Sequence, residues 1–192
     1  MVPKNRTKSG VLGAVAALLA APLLFAAPAA HAAPAPEVLL SCDLSGKAGF
    51  SPALSLNPSG ESTRIRVDGA ATACRSGSGI GVTSAKFGGT LNGRMSCTAP
   101  PRDVDGDVQI TWTYADGSTR KSTAKFALDM RGDLANPSKP ITGTFTGQST
   151  DGEFEGNRHT GRGRIDSAGI ARDCLTGGLG SVKFNGTYEM SR

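Results

Sequence analysis

From Val38 onward the chain alternates apolar and polar positions with a period of two. Val182, Phe184, Gly186, Tyr188 and Met190 fall on one side, and Lys183, Asn185, Thr187 and Glu189 fall on the other. The same alternation runs through Ala85, Phe87, Gly89, Leu91, Gly93, Met95 and Cys97, and through Val108, Ile110, Trp112 and Tyr114. Phe126, Leu128 and Met130 form another set, and Ile65 with Val67 and Ile141 with Phe145 form shorter ones. A period of two with Thr and Ser on the second face marks half-buried antiparallel strands, and helical periodicity is nearly absent. The abundant glycines punctuate turns and leave room opposite aromatic rings. Strands this numerous, joined by short loops, predict an all-β domain: a single antiparallel β-barrel, with a β-sandwich as the alternative. The barrel is preferred because the first and last strands need partners.

Two hairpins allow a register to be read. A two-residue Asp-Gly turn would set Val108 opposite Lys125 and mix apolar with charged side chains on one face. A three-residue loop, Ala115-Asp116-Gly117 with Gly117 left-handed, instead sets Val108 opposite Ala124 and Gly106 opposite Phe126. Between Gly152 and Ile165 the alternation predicts Glu155 opposite Arg162 and Glu153 opposite Arg164. Phe154 then faces inward toward Gly163, and Arg158 and His159 lie at a solvated loop tip.

The first 32 residues read as a secretory signal peptide. Lys4, Arg6 and Lys8 precede an apolar run from Val11 to Ala27, and Ala30-His31-Ala32 predicts cleavage between Ala32 and Ala33. Pro22 and Pro28 interrupt the apolar run, so no stable membrane anchor is expected. Leu39-Leu40-Ser41-Cys42 lies too far beyond that run to serve as a lipidation box. Residues 33–37 read as a flexible lead-in and 38–192 as one β domain. Losing three basic residues with the leader takes 21 Lys and Arg to 18 against 16 acids, so the formal charge falls from +5 to +2. No charge argument for nucleic acid survives that correction.

Cys42, Cys74, Cys97 and Cys174 all follow the leader, and an even count in an exported chain predicts two disulfides. Their spacing and the single histidine beyond the leader, His159, argue against zinc. A repeated phrase suggests the pairing. Cys74 leads into Lys86-Phe87-Gly88-Gly89-Thr90, and Cys174 leads into Lys183-Phe184-Asn185-Gly186-Thr187. If these strands are equivalent and adjacent, Cys74 pairs with Cys174 and Cys42 with Cys97.

Candidate chemistry is thin. Glu153 and Glu155 could form a glycosidase pair only if both faced inward, and Phe154 between them claims that side. Their expected role is a cross-strand ladder with Arg162 and Arg164, which also weakens any polyanion site there. Asp103, Asp105 and Asp107 imitate the opening of a calcium loop, but Val108 and Tyr114 stand where Gly and Glu belong, so an acidic turn is expected. There is no nucleophile elbow. These residues assign no catalytic, metal or cofactor site. Trp112 and Tyr114, at a strand end, are the candidate contacts for a small apolar ligand at the barrel mouth.

Phe50-Ser51-Pro52-Ala53-Leu54, Ile110-Thr111-Trp112 with Asp116 to Thr119, Gly143 to Gly147, and Cys174-Leu175-Thr176 leading to Phe184-Asn185-Gly186-Thr187 resemble a family of small secreted actinobacterial β-rich four-cysteine proteins. The resemblance covers most of the chain beyond the leader. It implies export and a four-cysteine β domain, and carries no activity across.

The expected function is that of an exported, non-enzymatic extracellular or cell-envelope protein with a structural or binding role. A small apolar ligand carrier using the barrel interior is the first alternative. A secreted hydrolase or protease inhibitor is the second, with residues 98–107 and 131–140 as its candidate loops. Secreted material is expected to begin at Ala33. N-terminal sequencing that returned Met1, or a lipidated Cys42, would overturn this.

Overall fold

A computed structural model describes residues 36–56, 62–77, 79–99, 101–131, 141–165 and 169–192. The expected leader, its cleavage point and residues 33–35 of the lead-in lie outside them, as does most of the candidate loop at 131–140. Eight strands follow in order: β1 (Val38–Leu54), β2 (Thr63–Ser76), β3 (Val82–Arg94), β4 (Arg102–Tyr114), β5 (Thr119–Arg131), β6 (Ile141–Gly152), β7 (Arg158–Ile165) and β8 (Leu179–Ser191). Each pairs antiparallel with the next, and β1 pairs with β8, closing the barrel with no free edge. A short helix, α1 (Ile170–Thr176), lies between β7 and β8 and buries Ile170 and Cys174, one turn apart.

Strand direction gives the barrel two different ends. Short hairpins join β2 to β3, β4 to β5 and β6 to β7 at one end, where β1 begins and β8 finishes. The opposite end carries the longer connections, including α1. The alternation holds around the wall. Ile65, Val108, Ile110, Ala124, Phe126, Met130 and Val182 are buried, while Arg66, Asp107, Lys125, Thr144 and Thr187 are exposed. An apolar interior and a polar exterior reverse the arrangement of a membrane-spanning barrel.

The interior is narrow, and glycines make its aromatic rings fit. Gly46 lies opposite Phe184, Gly69 opposite Phe87, Gly147 opposite Phe126 and Gly161 opposite Phe145. A Cβ at any of these glycines would run into the facing ring. Each phenylalanine therefore lies across a bare stretch of the neighbouring strand.

The β4–β5 hairpin has the expected register, with Val108 opposite Ala124, Gly106 opposite Phe126 and Gly117 at φ 81°. The β6–β7 hairpin does not. Its strands stop at Gly152 and restart at Arg158, with Gly147 opposite His159, Phe145 opposite Gly161 and Gly143 opposite Gly163. Glu153 to Asn157 form the turn, which Gly152 and Gly156 make possible at φ 81° each. Arg162 and Arg164 face Thr144 and Thr142 rather than glutamates, so the expected charge ladder does not exist.

The disulfides also depart from expectation, joining Cys42 to Cys74 and Cys97 to Cys174. The two copies of the repeated phrase lie on β3 and β8, which are neither adjacent nor parallel. One strand leaves the short-loop end and the other the long-loop end, so Cys74 and Cys174 sit at opposite ends. Cys42 instead meets Cys74 across β1 and β2, beside an irregularity where Ala73 adopts φ 49°. Cys97 ties the β3–β4 connection to α1. For separations of 32 and 77 residues, the chain-entropy model gives about 3.5 to 4.5 kcal/mol each.

Gly161→Ala is expected to cost about 1–3 kcal/mol, because the added methyl meets the Phe145 ring and the Thr187 carbonyl. Gly180→Ala, with nothing within 4 Å of the new carbon, should stay within about 0.5 kcal/mol of the parent. Urea unfolding of both variants checks the contrast.

Candidate functional site

The barrel interior is not completely filled. A cavity of about 160 Å³ runs among inward side chains from all eight strands. Trp112 and Tyr188 line it toward the short-loop end, and Phe87, Phe126, Phe145 and Phe184 line its middle. Phe50, Met95, Leu128 and Ile165 lie near the long-loop end and are only partly buried, so the cavity approaches the surface there. The narrowness that demands glycine under each ring also prevents those rings from meeting everywhere. Phe87 and Phe184 stack with centroids 6.4 Å apart, and Phe126 meets Phe145 edge-on at 5.7 Å.

Opposite the mouth, an aromatic and polar plug closes the barrel. The buried Trp112 donates its indole N–H to Ser122 Oγ at 2.9 Å. Phe154, held at φ 63° in the β6–β7 turn, packs edge-on against the same indole at 5.3 Å. His159 stacks on the Trp112 ring at 6.5 Å and lies 2.7 Å from Ser149 Oγ through Nε2 and 2.5 Å from the Tyr188 hydroxyl through Nδ1. Burial holds the His159 imidazole down to about pKa 4 and pushes the Tyr188 phenol strongly up, so both are neutral near pH 7. A neutral imidazole satisfies both neighbours by donating through one nitrogen and accepting through the other. Among the described residues, no buried side-chain nitrogen or oxygen lacks a partner.

This corrects the reading of His159 as a solvated loop residue: it is fully buried and faces inward. The expected hairpin ran too far, through Phe154, and displaced every residue after it. The missed signal was the pair of glycines at 152 and 156, which bracket a tight turn. Ser149 and His159 are within the reach of a nucleophile and its base, but neither lines the cavity, and the third partner is a phenol with no charge to orient an imidazolium.

Trp112 lies in the cavity wall, at the plugged end rather than at a mouth, whereas Tyr114 does not line the cavity at all. The Tyr114 hydroxyl donates to Glu153 Oε1 at 2.8 Å, and Arg120 bonds the same carboxylate at 3.2 Å while its guanidinium covers the Tyr114 ring. Burial, then the Glu153 hydrogen bond, pushes the Tyr114 phenol up to about 12. Glu153 is thus partly buried beside Tyr114, while Glu155 is exposed, and the two carboxylates do not converge. Asp103, Asp105 and Asp107 are exposed along β4, correcting the expectation of an acidic turn before the strand. Arg94 engages Asp103, and Lys125 lies 3.7 Å from Asp105. Of the candidate inhibitor loop at 98–107, residues from Arg102 onward belong to β4. No protein-family model, curated protein or solved structure matches the chain.

Because the unfolded chain binds a proton at histidine near pH 6.5 and the barrel binds it only near 4, stability from this group is complete above pH 6.5. It is lost as pH falls through that window, by about 3 kcal/mol in all. Urea unfolding from pH 7 to pH 4 should therefore show a steeper loss for the parent than for His159→Gln. Parallel loss in both proteins would count against a buried neutral imidazole.

Proposed function

We propose that this is an exported, non-enzymatic protein that carries a small apolar ligand inside its barrel. The supporting observation is the cavity, about 160 Å³ and lined by hydrocarbon, aromatic and thioether surface. An eight-stranded barrel is wide enough either to be filled by its own side chains or to hold one small ligand. A purely structural role calls for the first, and the unfilled interior favours the second. An apolar cavity near 150 Å³ stays dry and accepts a benzene-sized molecule, which sets the scale of the guest. The pair of disulfides supports export to an oxidising compartment. The non-enzymatic part rests on the plug: its imidazole is neutral, hydrogen-bonded on both nitrogens and set back from the cavity.

Gly163 lines the cavity, and a Cβ built there meets nothing nearer than the Asn185 carbonyl at 3.8 Å. Gly163→Leu should fill the void without disturbing the wall. Titration with 1-octanol, followed by calorimetry and by the fluorescence of the chain's one tryptophan, is expected to show saturable binding to the parent and at least tenfold weaker binding to this variant. Equal binding by the two proteins would place the ligand elsewhere, and no binding to the parent would remove the carrier reading.

A further inference from the structure

The cavity offers a ligand no polar anchor. Its two polar-tipped side chains are already committed, Trp112 to Ser122 and Tyr188 to His159. Any head group on the ligand must therefore remain at the mouth, where burial does not strip its water.

The mouth has a repeated construction. At four places on the long-loop side, an apolar lining residue is flanked in sequence by an exposed arginine: Arg64 beside Ile65 on β2, Arg94 beside Met95 where β3 ends, Arg131 beside Met130 on β5, and Arg164 beside Ile165 on β7. Strand alternation turns the apolar member inward and the arginine outward. The result is a guanidinium collar around a hydrocarbon opening. Two aspartates temper it, since Arg94 engages Asp103 and Arg131 lies 3.9 Å from Asp129. Arg64 and Arg164 make no ion pair among the described residues. The β6–β7 register leaves Arg164 unpaired by placing Thr142 opposite it, where a glutamate would have neutralised it.

We propose that the ligand is a single-chain amphiphile with an anionic head, a carboxylate, sulfate or phosphate, whose tail enters the cavity while its head meets the arginine collar. This rests on the carrier reading and adds the head-group class. Guanidinium groups suit such heads because their planar donors form two parallel hydrogen bonds to carboxylate or phosphate oxygens. Side chains at an exposed rim interact through water, so the preference should be moderate and sensitive to salt.

The test compares three probes of one chain length, octanoate, 1-octanol and octylammonium, titrated into the disulfide-bonded protein at low ionic strength. Octanoate is expected to bind at least tenfold more tightly than octylammonium, with the ratio shrinking at 0.5 M salt. The variant R64Q/R131Q/R164Q should bring that ratio toward one while leaving 1-octanol affinity unchanged, which also shows that the barrel is intact. Equal affinity for the two charged probes, or a preference that survives the triple substitution, overturns the anionic-head assignment and leaves the carrier reading standing. Failure of all three probes to bind, 1-octanol included, overturns both.

Discussion

The physical constraint behind this protein is the small diameter of a closed eight-stranded barrel. Closure gives every strand a hydrogen-bonded neighbour on both sides, including β1 and β8 against each other, but fixes how much side-chain volume fits inside. Four inward phenylalanines are accommodated only because a glycine faces each of them from a neighbouring strand. Rings laid flat across bare backbone cover the wall without reaching the axis everywhere. The unfilled space is thus a product of the same pairing that lets the barrel close.

The two ends divide the work. At the short-loop end the interior is packed with Trp112, Phe154, His159 and Tyr188, and among the described residues no buried side-chain nitrogen or oxygen there lacks a partner. Such networks stabilise when complete and are costly when one member is removed. At the other end, longer connections and partly buried apolar side chains replace the plug, and the Cys97–Cys174 bond holds α1 to the β3–β4 connection. A packed floor and a differently built opposite end distinguish the two ends of what would otherwise be a symmetric tube.

The alternation of side chains was legible because the strand period is two and the exterior is polar. It placed Val108, Ile110, Trp112, Phe126 and Phe184 inward without knowledge of the topology, and strand closure followed from the need to partner the first and last strands. The β4–β5 register was legible for the same reason, since only a three-residue loop kept charges off the inner face. The β6–β7 register was hidden because Phe154 satisfies its hydrophobic character from within a turn, by reaching Trp112, which local alternation does not reveal. The burial of His159 and the placing of Arg162 and Arg164 opposite threonines were lost with it. The disulfide pairing failed on direction: similar phrases on an odd and an even strand of an antiparallel barrel point opposite ways. The cavity depends on the summed volumes of side chains from eight strands, a quantity that no single strand pattern carries.

The pairing of Val38 with Ser191 places the beginning of β1 and the finish of β8 side by side at the plugged end. Polypeptide joined to either of these strand ends would be attached at the plugged end. A surface or partner holding the protein by such a continuation would grip it at the plugged end, away from the end that carries α1 and the Cys97–Cys174 bond.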